Sequence, residues 1–170
     1  MVPLRVAVVA FVTLILQVSL VSQIEVLGAR GNIILLFAIV AGLESDPERG
    51  AVAGFAAGLA FDLFLDTPAG LSALTLALVG YGVGSAKELV LRSSWVITLV
   101  LVASASILGT LLYAGLAVVV GVTVDAGSLP AIVGVIAAVS ALLQKPMRWA
   151  LRWAFGRDSR ARSRDRSVFR

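Results

Sequence analysis

The chain contains no cysteine and no histidine in 170 residues, and only ten Asp and Glu. Without cysteine there are no disulfides, no thiolate metal ligands and no thiol nucleophile. Without histidine, the commonest metal ligand and the usual proton shuttle near neutral pH are missing. A zinc or haem enzyme does not fit such a chain. No G-x-x-x-x-G-K phosphate loop occurs, and the serines stand in apolar runs without a base partner. The sequence therefore implies no catalytic constellation, metal or cofactor.

Charge is also scarce, at 14%, whereas hydrophobic residues make up 59% and the mean hydropathy is +1.01. Soluble domains are far less apolar and far more charged, so the composition describes an integral membrane protein. Residues 1–155 read as one all-α, polytopic helical bundle. Residues 156–170 read as a basic tail, too poor in apolar residues to order itself.

A spanning helix needs about 20 apolar residues. The first segment covers Leu4–Ile24 and reads as a retained helix, since no clear small-x-small cleavage site follows it. The second, Ile33–Leu43, is too short for a full span unless it begins near Leu27 and takes Arg30 with it; otherwise it reads as a partial or tilted element buried in protein. Asp46-Pro47 suits the cap and first position of a third helix ending near Leu65. By the same logic Thr67-Pro68 would open a fourth, reaching Ala86. The fifth covers Trp95–Val122 and the sixth Leu129–Leu143, with a short amphipathic stretch of Trp149, Trp153 and arginines after Pro146.

Six segments put both termini on one side. If that side is cytoplasmic, Arg30 alone among the 14 Lys and Arg lies outside, which satisfies the positive-inside rule. The tail arginines then face anionic lipid. No domain frames them for nucleic acid.

The most informative stretch is Gly50–Leu74, GAVAGFAAGLAFDLFLDTPAGLSAL. Gly50, Gly54 and Gly58 form a four-residue stripe, and small residues at that spacing let membrane helices meet backbone to backbone. Gly80 and Gly84 could supply a mate, or the stripe could face a partner's helix. Asp62 and Asp66 continue the step, and carboxylates inside an apolar stretch are costly. Asp66 would sit near the next helix N-terminus. Asp62, about one turn inside its helix end, could meet Arg30, Asn32 or a backbone amide, or could bind something else.

Gly54-Phe-Ala-Ala-Gly58-Leu-Ala-Phe-Asp62-Leu63 followed by Pro68-Ala-Gly70-Leu-Ser-Ala-Leu74 resembles the rod shape-determining protein MreD family, whose feature is G-x-x-x-G-L-x-x-D-L then P-x-G-x-x-A-L. Gly80-Tyr81 and Gly84 also fit. The resemblance implies a non-enzymatic protein of the bacterial cell membrane. It would act in cell elongation and peptidoglycan synthesis beside MreC, with MreB, a RodA-type glycosyltransferase and a penicillin-binding protein. The motif would then pack helices, while Asp62, Asp66, Thr67, Pro68 and Gly70 fix an outer end where MreC docks. The family's layout is similar to the substrate-binding subunits of energy-coupling-factor vitamin transporters, which makes a vitamin-capture subunit the rival reading. A proton-coupled carrier is a third, and it lacks a second acid in the fifth and sixth helices.

Overall fold

A computed structural model describes residues 2–19, 25–26, 29–64, 69–90, 95–122 and 127–155. Six helices run in order: α1 (Val2–Ser19), α2 (Ile33–Glu44), α3 (Pro47–Asp62), α4 (Leu71–Val90), α5 (Trp95–Val119) and α6 (Leu129–Phe155). Between α1 and α2, β1 (Glu25–Val26) pairs antiparallel with β2 (Ala29–Arg30), matching Glu25 with Arg30 and Val26 with Ala29. This small hairpin is an addition to the all-α expectation. The basic tail 156–170, Asp66, Thr67 and Pro68 lie outside the described residues.

The core is organised around α2. Its residues Ile33 to Gly42 are buried, and Leu36 through Ala41 have no accessible surface. It packs against each of the other five helices. Asn32 caps it, with Oδ1 accepting from the Leu35 amide at 2.9 Å. At 12 residues α2 rises about 18 Å, well short of a hydrocarbon core of about 30 Å. Protein encloses it on all sides, so its ends need not reach the interfaces.

Two helices, Val96–Val119 and Leu129–Phe155, are long and apolar enough to cross a membrane, and Leu4–Ser19 and Ile33–Glu44 are shorter apolar helices. The helix number matches the hydropathy pattern, but the lengths do not make every helix a full span. The outward faces are apolar: Leu4, Phe11, Val52, Phe55, Leu78, Val100 and Leu108 are all exposed. That is the surface a lipid-facing protein presents, and it would be a liability in water.

Several boundaries differ from the sequence reading: α3 ends at Asp62, not near Leu65, so Asp62 closes its helix instead of lying one turn inside, and α5 ends at Val119, not Val122. Helix α4 opens at Leu71, not Pro68. Gly70 takes a left-handed φ of 100°, which ends the preceding turn and aims its amide into the bundle. Helix α6 continues through Pro146 to Phe155, so the expected amphipathic stretch is its own last turns. Proline removes one ladder bond there, to the Leu142 carbonyl. Polar contacts on the flanking turns hold the extension in place. Arg148 Nε donates to Glu44 Oε1 at 2.7 Å, Arg152 Nε reaches Glu44 Oε2 at 3.0 Å, and the Arg5 guanidinium lies 4.7 Å from the Trp153 ring centre. The start of α1 and the end of α6 thus meet at one end of the bundle.

Glu44 is shielded while Arg152 is largely exposed, so this cluster is partly screened. Glu44→Ala is expected to lower stability by about 1 kcal/mol. Thermal unfolding of wild type and variant in low and high salt checks this, because the gap should narrow as salt rises.

Candidate functional site

The glycine stripe lies between α3 and α4. These helices run antiparallel at backbone contact, with Gly50 against Gly80, Gly54 against Leu76 and Gly58 against Ala73. Gly84 closes the other end against Pro47. A methyl group added at Gly58 would lie 2.6 Å from the Ala73 Cα, and one at Gly80 would lie 2.5 Å from the Gly50 carbonyl oxygen. No side chain fits in that seam. Gly42 joins from α2, where a methyl group on Gly50 would lie 2.8 Å from its Cα. Three helices therefore converge on glycine, and the four-residue step is what keeps the surface open along the crossing. Gly82, between Gly80 and Gly84, has nothing within 4 Å of where a side chain would begin.

Asp62 is the last residue of α3 and is only 3% exposed. The glycine seam brings its carboxylate to the N-terminus of α4. Oδ2 accepts from the Gly70 amide at 2.8 Å and the Ala73 amide at 3.3 Å, and Oδ1 accepts from the Ser72 amide at 3.2 Å. Helix N-termini leave amides without intrahelical partners and carry a partial positive charge, so an anion is favoured there. Asp62 thus caps a helix other than its own. Of its expected partners it takes backbone amides; the side chain of Arg30 lies outside the described residues. Gly50, Gly54, Gly58, Gly80, Gly84, Asp62 and Gly70 form one continuous structure. Asp66, Thr67 and Pro68 lie outside the described residues.

A second cross-helix cap stands beside it. Gln17, buried near the end of α1, accepts from the Ile33 amide at 2.8 Å and donates to the Gly31 carbonyl at 3.0 Å. It holds the chain entering α2. Sequence reading passed over Gln17, although a lone amide in an apolar run is a usable signal. Asn32 three residues before Leu35 carried the ordinary cap signature. Gln17→Leu leaves the Ile33 amide without its partner and should destabilise the chain by about 1–3 kcal/mol. Gln17→Glu keeps an acceptor for that amide and should lose less; thermal unfolding of the two variants distinguishes them.

Between the two capped helix starts lies a cavity of about 460 Å³, lined by residues of all six helices, with Gln17, Asn32, Ser72 and Tyr113 among its walls. Asp62 does not line it, and the side chain of Trp95 lies outside the described residues. At the opposite end Lys87 Nζ donates to the Ser45 carbonyl at 2.7 Å and stands 3.7 Å from Asp46, tying the α2–α3 turn to α4. Among the described residues no three His, Cys, Asp or Glu gather as a metal site.

A family model described as rod shape-determining protein MreD matches residues 2–148. No curated protein and no solved structure matches the chain.

Proposed function

We infer that this chain, which belongs to the rod shape-determining protein MreD family, is a non-enzymatic membrane scaffold of bacterial cell elongation. Family membership carries the role in rod shape. One observation favours scaffolding as the way it is done: Gly50, Gly54, Gly58 and Asp62 all join α3 to α4. A motif used this way builds a rigid helix pair with a fixed end, which suits presentation of a surface to a partner better than chemistry.

The scaffold organises peptidoglycan synthesis with MreC, a RodA-type glycosyltransferase, a penicillin-binding protein and the MreB cytoskeleton. Arg5, Lys87, Arg148 and Arg152 belong to the end of the bundle that holds the start of α1 and the end of α6. By the positive-inside rule that end faces the cytoplasm, and the Asp62-capped end faces outward. MreC docks there, on the α3–α4 pair, and the basic tail lies against anionic lipid.

Cross-linking and affinity purification of the chain from its native membrane, with bound proteins identified by mass spectrometry, tests this reading. Recovery of MreC with a cell-wall synthase pair is expected. Recovery of ATPase subunits with a transmembrane coupling subunit would replace it with the vitamin-capture reading.

A further inference from the structure

The cavity between the starts of α2 and α4 has features that helix packing does not require. Its volume of about 460 Å³ falls within the range of small-molecule sites. Ser72 is 4% exposed, lines the cavity, and its hydroxyl has no hydrogen-bond partner. A buried hydroxyl left unpaired costs roughly 1–3 kcal/mol. Ser72 contributes its backbone amide to Asp62, and that role needs no hydroxyl. The side-chain amides of Gln17 and Asn32 share this polar wall. Across from it the lining turns apolar with Leu35 and Leu76, and the exposed ring of Phe64 stands at the rim. No Lys, Arg, Asp or Glu is among the described lining residues.

We propose that this cavity binds an uncharged amphiphile, seating a hydrogen-bonding head on Ser72, Gln17 and Asn32 and an apolar body against Leu35 and Leu76. Among the described lining residues there is no counter-charge, so an ion seated there would lose its hydration without compensation. The mixed lining rejects pure hydrocarbon, which would leave Ser72 unpaired. Water alone would satisfy the hydroxyl but would wet a largely apolar wall, and displacing it favours a ligand of this class. The head could belong to a free solute or to a neutral lipid entering from the bilayer. This site is independent of the scaffold role, so either can fail without the other.

The chain has no cysteine, so Ser72→Cys or Thr75→Cys places a single thiol on the cavity wall. The full-length variants, in detergent, are alkylated with N-ethylmaleimide and followed by intact mass. Benzamide serves as the soluble probe and monoolein as the lipid probe. Both thiols should react in the folded protein. One probe or the other should slow alkylation saturably, by about tenfold at roughly ten times its dissociation constant. Protection by benzamide alone identifies a solute site, and protection by monoolein alone identifies a lipid site. Adding Ile132→Trp, at a half-buried lining position, should abolish the protection while the unfolding temperature stays close to that of the parent. With Thr75→Cys as reporter, Ser72→Ala should weaken protection severalfold. Thiols that react only after denaturation, or that react at the same rate with either probe present, would overturn the proposal.

Discussion

Gly54→Leu is expected to leave little or no folded protein. A first side-chain carbon at position 54 would fall against the Leu76 carbonyl, 2.8 Å from its carbon atom. The obstacle is backbone inside a helix, so no rotamer change relieves it. The helices must move apart, which also lifts Gly50 from Gly80, Gly58 from Ala73 and Asp62 from its amides. Overpacking where neighbours can adjust costs about 1–3 kcal/mol. Here three contacts and a cap are lost together, so the cost should exceed that range, against a usual total of about 5–15 kcal/mol. Gly82→Leu is the control, because that position is open. Yield of monodisperse protein, its unfolding temperature and complementation of cell shape give the readouts. Wild-type behaviour of Gly54→Leu in all three would refute backbone contact as the basis of the motif.

Asp62→Ala is the second large effect. It strands the Gly70, Ser72 and Ala73 amides at a buried helix start and removes a charge-assisted set of bonds. The expected loss is about 2–4 kcal/mol, above an ordinary cap because three donors share one buried acceptor. Asp62→Asn keeps one acceptor oxygen and should lose about half as much. Hydrogen exchange over residues 69–76 reads the effect where it arises. Faster exchange there in Asp62→Ala, with α2 still protected, is the expected pattern. Unchanged protection would show that the carboxylate does not cap α4.

Much of this arrangement was visible in residue spacing. The four-residue glycine step marked a close helix contact, and the placement of Asp62 at its end marked a buried acid needing donors. Neither feature contains the partner's address. The matching positions Gly42, Leu76 and Ala73 lie on other helices, and only folding brings them into register. The start of α4 differs from the Pro68 expectation because a carboxylate on α3 holds the first amides and a left-handed Gly70 sets the entry; Thr67 and Pro68 lie outside the described residues. Glu44 with Arg148 was invisible for the same reason: the two stand 104 positions apart, and no local pattern links them. The extension of α6 was hidden by Pro146, which normally ends a helix. The 12 residues of α2 agree with the short apolar run that hydropathy marked, because length and uniform apolarity are both local properties.

That uniform apolarity has a consequence for biogenesis. The ribosome delivers α2 before α3, α4, α5 and α6 exist to cover it. A helix with one polar face would be stranded in the bilayer during that interval, but α2 has none between Ile33 and Leu43. Lipid therefore serves as its temporary solvent, and the later helices replace lipid on one side after another. At about 18 Å it is also shorter than the hydrocarbon core, so any time spent exposed to lipid would carry a mismatch cost that burial among the later helices removes. The short central helix would then be favoured in the finished bundle twice over, by packing and by escape from a bilayer it does not match.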